Sequence, residues 1–529
     1  MTKEKTIGSI KEVLDNSTVA SILIISLLAS LLSLTIPVAA QTLINLIAFG
    51  KLFQPVFTLS LMVFIFMMAL GALNVWQIII AEVIQQKLMV NISLKLTNQY
   101  NHLSLENFSV HYGPELVNRF FEIVTIKKSL ASLLLSGINL SLQVIFGLIL
   151  LLIYHPLFLI FDAIVILGIF IVVFVPYHKA KESAEKECIE KHKVGAWFEE
   201  ILINRFLFRF NLYHRFATQQ TDKRLVSFLK ARNLHFKQLL KHQIGFHFLS
   251  AFVSSLLLGV GGYLVIQDQL SLGQLAAAEI VLGSLIYSFK RFGNLLENYY
   301  DMIASESKIK SVIDLPIEKI ENHINDIYNP IQNIEIRTHA EANARADANS
   351  PLLVFSNNPD HCQNFTRELL GFREVKEFKF LINDTVCNRN NLVSIRQVSM
   401  LISQPEWFAG TIYDNLVLGH RHIANEQIMT ELKYFDLLEK IMNLPKGLQT
   451  VVYEWRTILS YYELTKLMCI RAVLFNPQLL IIDRAFDVLD YELLDKIMTH
   501  LQELKATTLI IVSQNKNFGY ITNRLVLPS

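Results

Sequence analysis

Six apolar runs, near residues 18–41, 56–80, 132–153, 156–176, 246–267 and 274–296, constrain this chain more than anything else in it. Each has the roughly 17–25 residues that an α-helix needs to cross the hydrocarbon core of a bilayer. A helix is the open segment that satisfies its own backbone donors and acceptors where water is absent. Six membrane helices are therefore expected in the first half of the chain, and lipid is the first partner that the sequence implies. The polar tail MTKEKTIGSIKEVLDN marks the first run as a retained span, since no small-residue cleavage site follows a short core. Lys3, Lys5 and Lys11 precede that span, whereas the turn near 154–155 and the stretch 268–273 carry no Lys or Arg. The N-terminus is expected on the cytoplasmic side.

Between the second and third runs, and again between the fourth and fifth, lie polar connectors of about fifty and about seventy residues with helical periodicity. Two antiparallel helices of about 25 residues each would reach roughly 37 Å beyond the bilayer. After Pro316 the apolar character falls, so residues 1–316 read as a membrane domain, 317–329 as a linker and 330–529 as a second domain. In that domain the runs LLVF, VSMLIS, LLIID and TLIIVS alternate with helical patterns, which predicts a parallel sheet with crossover helices. The segment THAEANARADANS, 338–350, has no apolar period and reads as an exposed loop. A net charge of +2 without a basic stripe gives no reason to expect nucleic acid. Cys188, Cys362, Cys387 and Cys469 lie far apart with no CxxC spacing. They fit reduced, buried thiols, and no independent metal site is expected.

The stretch LPKGLQTVVYEWRTILSYYELTKLMCIRAVLFNPQLLIIDRAFDVLD, 444–490, resembles the ABC transporter pattern LPxGLxTxVxExGxxLSGGQxQRxxxARAxxxxPxxLxLDExxSxLD along its length. LISQPEWFAGTIYDNL, 401–416, is similar to the Q-loop region of that family, with Gln404 in place and Trp407 and Phe408 just after it. LENFSVHYGPELVNRFFEI, 105–123, resembles the exporter pattern that carries the first coupling turn, and KVGAWFEEILINRFLFRFNLYHRF resembles the second coupling region. LSLGQLAAAEIVLGSLIYSFKRF is similar to the entry into the sixth span. The resemblance implies an ABC exporter half-transporter. Its fold is an all-α six-helix transmembrane domain with long cytoplasmic helical extensions, fused to an α/β P-loop-NTPase-like (ABC) domain.

The letters that carry the chemistry differ. A working P-loop, GxxxxGK[ST], wraps phosphates with backbone N–H groups and neutralises them with its Lys. The corresponding residues here run Ser356, Asn357, Asn358, Pro359, Asp360, His361, Cys362, Gln363. Cys362 stands in place of the Lys, Gln363 in place of the magnesium-binding hydroxyl, and Pro359 removes an N–H from the cradle. Asp483 is retained, but Arg484 occupies the position of the family's general base, and a guanidinium with a pKa above about 12 accepts no proton. Such a base contributes typically ~10²–10⁴ in rate. Arg484 is expected to pair with Asp487 or Asp490. LSYYE, 459–463, replaces LSGGQ: Ser460 remains, and Tyr461 and Tyr462 either block the phosphate approach or pack at the domain face. Gln514 stands in place of the switch histidine, and Thr338 is nearest to the missing adenine-stacking aromatic.

Gln404, Ser460 and Asp483 are thus family remnants at cofactor-binding positions, with Ser356, Cys362 and Gln363 in a degenerate P-loop, and no catalytic residue or metal ligand remains. Autonomous ATP hydrolysis is not expected, and ATP, if bound, would be held mainly by a partner. The resemblance implies an integral membrane subunit, in a bacterial inner membrane, with both its N-terminus and its second domain cytoplasmic, paired with a second half-transporter as homo- or heterodimer. The alternative is a membrane scaffold or regulator that moves nothing. Inside the membrane, Asp162 and Asn139 are the polar groups most in need of a role, because ionisable or strongly polar residues there face a cavity or a partner. For Asp162 two readings stand, contact with a cargo or a structural bond to a neighbouring helix or the interface.

Overall fold

The fold was obtained as a computed structural model that describes residues 15–49, 53–104, 113–318, 330–338, 343–420, 422–487, 489, 491–502, 507–515, 518 and 521–527. Contacts divide the chain into two compact units that part between Ile317 and Glu318. The first is helical: α1 (Asn16–Leu32), α2 (Thr35–Phe49), α3 (Phe53–His102), α4 (Gly113–Asn118), α5 (Glu122–Ser132), α6 (Ile138–Tyr154), α7 (Phe158–Phe174), α8 (Tyr177–Ile203), α9 (Arg205–Phe208), α10 (Asn211–Ile266) and α11 (Leu272–Ile313). Among the described residues, six helical stretches, Asn16–Ile47, Phe53–His102, Leu116–Tyr154, Phe158–Ile203, His214–Ile266 and Leu272–Ile313, are long and apolar enough to cross a membrane.

In α3 and α10 a span and its extension form one continuous helix. α3 runs 50 residues without a break, and α10 runs 56. At 1.5 Å per residue α3 is about 75 Å long, more than twice the thickness of a bilayer core. Nothing in the sequence interrupts them: after Pro55 in the first turn, α3 has no proline, and α10 has none. Segment 105–112, the first part of the first coupling string, lies outside the described residues. At the other end of the spans, α11 starts at a capping box in which Ser271 Oγ accepts from Gln274 N at 3.1 Å and Gln274 Oε1 accepts from Ser271 N at 2.8 Å. Gly273 follows because α2 packs there: a Cβ at that position would lie 2.5 Å from Asn45 Oδ1 and 3.1 Å from the Gln41 carbonyl. The extensions are joined by buried polar contacts. Glu122 of α5 accepts from Lys191 of α8 at 2.6 Å and from the Ser305 hydroxyl of α11. Ser183 of α8 bonds His235 of α10 at 3.0 Å, and Tyr300 of α11 bonds His242 of α10 at 3.1 Å.

The second unit is α/β. Its strands and helices are β1 (Asn333–Thr338), β2 (Asn343–Asp347), β3 (Leu352–Phe355), α12 (Pro359–Leu369), β4 (Phe378–Ile382), β5 (Thr385–Val386), α13 (Arg389–Ile395), β6 (Ser399–Ile402), β7 (Gly410–Thr411), α14 (Ile412–Val417), α15 (Asn425–Tyr434), α16 (Leu438–Met442), β8 (Val451–Val452), α17 (Tyr461–Phe475), β9 (Leu479–Asp483), α18 (Tyr491–Gln502), β10 (Thr508–Ser513) and β11 (Arg524–Val526). A parallel sheet has the order β11-β3-β10-β9-β6, and an antiparallel sheet the order β2-β1-β4-β5. The four apolar runs noted above supply the four central and edge strands β3, β6, β9 and β10 of the parallel sheet. Successive residues of β9 feed opposite cores: Leu480 and Ile482 pack with the helical layer of α15, α17 and α18, while Leu479 and Ile481 pack against α12 and the antiparallel sheet. A strand covered on both faces reads as an unbroken apolar run.

The expected loop over 338–350 is corrected. Residues 343–347 form β2, paired in register with β1 from Asn333↔Asp347 to Arg337↔Asn343, while 339–342 lie outside the described residues. Ala344 and Ala346 are buried, with the side chains of Asn343 and Arg345 turned out. The period of two is present, but it is carried by alanine, which gives little hydrophobic contrast and has low strand preference.

Candidate functional site

Gln404, Arg484, Gln514 and the Ser356 loop all follow the carboxyl ends of strands of one parallel sheet, β6, β9, β10 and β3. This is the edge at which open α/β sheets place ligand sites. Pairing aligns Asp483 with Val512 and Ser513 with Phe355, so the ends of β9, β10 and β3 lie side by side.

The turn from β3 into α12 spends its polar groups on itself. Asn358 caps α12, its Oδ1 accepting from Asp360 N at 2.9 Å, and Pro359 occupies the first helical position. Asn358 N donates to Ser356 Oγ at 3.1 Å, and Ser356 N donates to the Ser513 carbonyl at 3.3 Å. Gln514 Nε2 donates to the Asn357 carbonyl at 3.3 Å. Of the N–H groups at this helix start, that of Asp360 is capped by the Asn358 side chain and Pro359 has none. Cys362 is fully buried, its Sγ 4.0 Å from the Ser356 carbonyl and 3.9 Å from that of Ser513. Burial, reinforced by the nearby Asp483 carboxylate, pushes this thiol up to about 11, so it stays neutral. Gln363 is half-buried on the same helix.

At the end of β9, Arg484 Nε donates to Asp483 Oδ1 at 2.9 Å. This corrects the expected pairing. Asp487 is held by the Ser513 hydroxyl and by Gln514 N at 3.2 Å, and Asp490 lies outside the described residues. Arg484 takes φ 55°, the left-handed region, with its N–H on the Val512 carbonyl at 2.8 Å. That turn is what folds the guanidinium back onto its neighbour. Burial raises the Asp483 carboxyl above its ordinary range, and Arg484 only partly offsets this.

The LSYYE segment is similarly closed. Ser460 caps α17: its Oγ accepts from Glu463 N at 3.3 Å, and Glu463 Oε2 accepts from Ser460 N at 2.8 Å. Lys440 Nζ lies 2.7 Å from both Glu463 oxygens. Burial alone would raise the Glu463 carboxyl, but the bonds from Lys440 and Ser460 outweigh it and hold it below its ordinary value. Tyr461 is 36% exposed at the first turn, ahead of the half-buried Tyr462.

The Gln404 segment is built the opposite way. Asn415, fully buried, accepts from Phe408 N and donates to the carbonyls of Phe408 and Thr411, each at 3.1 Å. Trp455 Nε1 donates to the Phe408 carbonyl at 3.0 Å, and Arg471 Nε donates to the Asn415 carbonyl at 2.9 Å while lying over the Trp407 ring at 4.3 Å. Buried groups fix the backbone and leave the side chains of Gln404 and Phe408 exposed.

In the helical unit, Asn139 pairs with Gln77, whereas Asp162 is buried on α7 among Phe158, Phe161 and Val165, its Oδ1 without a partner among the described residues. Sequence reasoning missed Gln77, Ser26, Arg291 and Glu279, although each stands as a polar letter inside an apolar run. Ligand atoms of Glu122, Cys188 and His192 lie within 4.8 Å of one another. Lys191 already neutralises that carboxylate, as a salt-bridged packing cluster requires.

Six membrane-crossing helices with long extensions, joined to an α/β unit with its candidate site at the sheet's carboxyl edge, define a polytopic membrane protein with an attached P-loop-type domain. The family profile of the ABC transporter transmembrane region matches residues 19–288, just over half of the chain. The chain therefore belongs to that family, as an ABC exporter half-transporter. It is 24% identical over 298 residues to the alpha-hemolysin translocation ATP-binding protein HlyB of Escherichia coli O157:H7, covering 54% of this chain and 42% of that protein. It is 23% identical over 482 residues to the pediocin PA-1 transport/processing ATP-binding protein PedD of Pediococcus acidilactici, covering 86% and 65%. The chain spans about half the length of the curated relatives it matches. Its fold matches the structure of a bacterial Atm1-family ABC exporter with ATP bound at TM-score 0.84 and 16% identity, over 97% of this chain and 93% of that one.

Proposed function

We propose that this ABC exporter subunit contributes half of a translocation path and does not hydrolyse ATP by itself, working as a dimer with an ATPase-competent half. The observation that carries this is the Arg484–Asp483 ion pair at 2.9 Å. It puts a permanent cation where the family's base stands and occupies the one acidic remnant. The Ser356 loop supports the same reading, because a neutral, buried Cys362 replaces the ammonium and Asn358 caps the helix start. The exposed Gln404 and Phe408 on a rigid frame remain as a docking segment for the drive that the partner supplies. The N-terminus and the α/β domain lie in the cytoplasm in this reading, the spans in a bacterial inner membrane. The relatives named for toxin and pediocin translocation suggest a polypeptide cargo.

The test is affinity purification of the full chain from its native membranes in mild detergent. The expected result is a copurifying half-transporter that carries GxxxxGK[ST] and LSGGQ, with azido-ATP crosslinking to that subunit and not to this chain. A lone homodimer that labels with the probe and turns over ATP would overturn the proposal.

A further inference from the structure

Four helices of the extensions meet at a small polar cavity of about 170 Å³, lined by Glu122 of α5, Cys188 and Lys191 of α8, Arg232 of α10, and Asp301 and Ser305 of α11. It lies outside the six apolar runs of the sequence. Cys188 and His192 stand four positions apart on α8, so both side chains leave one face of that helix, and Glu122 comes to them from the first turn of α5. One ligand atom from each, a carboxylate oxygen, a thiol sulfur and a ring nitrogen, gathers within 4.8 Å. All three residues are buried, Glu122 at 2% exposure and Cys188 and His192 at 6% each.

Salt bridging accounts for only part of this cluster. Lys191 Nζ holds Glu122 Oε1 at 2.6 Å, and the Ser305 hydroxyl holds Oε2. His192 Nε2 lies 3.1 Å from the same Oε1 without a hydrogen bond to it, and has no other partner among the described residues. Neutralising the carboxylate leaves this buried nitrogen orphaned beside a thiol, and an unsatisfied buried polar group needs a reason.

We infer that Glu122, Cys188 and His192 form a binding site for a divalent transition metal of the zinc class, with water in the cavity as the fourth ligand. Thiolate, imidazole and carboxylate are the donors that zinc takes, at about 2.0–2.3 Å each. Around a tetrahedral ion such donors stand about 3.3–3.6 Å apart, so the cluster closes on one with shifts of about 1 Å. Magnesium and calcium take oxygen ligands and do not suit a sulfur and a nitrogen. On binding, Cys188 gives its proton to solvent and the metal replaces the Lys191 ammonium on Glu122. Lys191 can leave, because its side chain is 50% exposed and carries its charge on a flexible stem. Thiolate and carboxylate then cancel the charge of the ion, and Arg232 stays paired with Glu187 at 3.3 Å. Cysteine spacing alone gives no reason to expect such a site, because one ligand is a histidine and another comes from a second helix. The bound ion would join the extension of the third span to that of the fourth. No residue of the α/β unit takes part, so the site is independent of whether that domain turns over ATP.

The test uses the full chain, without a polyhistidine tag, in lipid nanodiscs with a phosphine reductant, titrated with Co²⁺ as the spectroscopic probe. Thiolate coordination gives a sulfur-to-cobalt charge-transfer band that imidazole and carboxylate sites elsewhere on the chain do not. The band is expected to saturate at one equivalent per chain and to bleach when Zn²⁺ is added. Cys188→Ser should abolish it. His192→Gln should keep it and weaken binding by more than about tenfold. Lys191→Gln should tighten binding about tenfold, the effect of removing one half-exposed competing charge, and a gain of that kind does not arise from misfolding. No band at one equivalent, a band that survives Cys188→Ser, or a Lys191→Gln chain that binds no more tightly than the parent would overturn the inference and leave the cluster as packing alone.

Discussion

The Gln404 segment and the Ser356 loop both leave the carboxyl edge of one sheet, yet they use their polar groups in opposite ways. In the first, buried Asn415, Trp455 and Arg471 hold the backbone and leave Gln404 and Phe408 free to meet something outside. In the second, Asn358, Ser356 and Gln514 turn onto the loop's own backbone, and Arg484 turns onto Asp483. The difference teaches which of the two segments presents side chains outward and which closes on itself. A contact surface needs a rigid frame with exposed side chains, and that frame persists. At the other segment the polar groups that are described bond to the loop's own backbone or to each other: Asp360 N to Asn358, Asn358 N to Ser356, and Arg484 to Asp483.

The largest expected effect lies in the preserved frame. Asn415→Leu strands Phe408 N and two carbonyls in a buried site, and should cost about 3 kcal/mol of stability. Thermal unfolding of the full chain would read it, and a variant as stable as the parent would show that the frame is not held as described. Next comes Arg484→Glu, which sets a second carboxylate beside the buried Asp483 and should cost about 2 kcal/mol, still without restoring ATP turnover. Its pH dependence sharpens the comparison. The folded pKa of Asp483 is raised, so its contribution to stability is fully present below the unfolded value and is lost as pH rises through the folded one. Without Arg484 that loss grows, and the deficit of the variant should shrink on acidification from neutral pH; a deficit that widens in acid would contradict the pairing.

Lys440→Gln should cost only about 0.5 kcal/mol, because the ion pair to Glu463 is partly exposed. Here the sign reverses. The Glu463 pKa is lowered, so the contribution is present above the unfolded value and is lost as pH falls through the folded one. Parent and variant should converge in acid, and a pH-independent gap would remove the electrostatic reading. Substituting nothing, the smallest signal is from the thiols: all four cysteines are free and buried, so a thiol reagent should find none in the native chain and four after unfolding. Rapid native labelling of Cys362 would show that its loop is open to solvent.

Much of this was legible in the letters. Runs of about twenty apolar residues and short apolar runs such as LLVF and LLIID are strong local signals, and they gave the six spans and the parallel strands. β2 was hidden because its inward residues are alanines. The partner of Arg484 was hidden because it depends on a left-handed backbone turn at that residue, which no spacing rule reports. Gln77 and Asn139 meet across helices 62 positions apart, so each reads singly as an oddity in an apolar run. Cys188 and His192 read as one turn of a polar helix, and only the fold brings Glu122 of α5 beside them.

ATP turnover by the purified full chain in nanodiscs, alongside photo-crosslinking with azido-ATP, tests most directly whether this domain has lost its chemistry. Turnover at the level of empty discs, with no crosslink that excess ATP removes, is the predicted result. Hydrolysis that disappears in Asp483→Ala, or a competed crosslink in the Ser356–Gln363 loop, would contradict it.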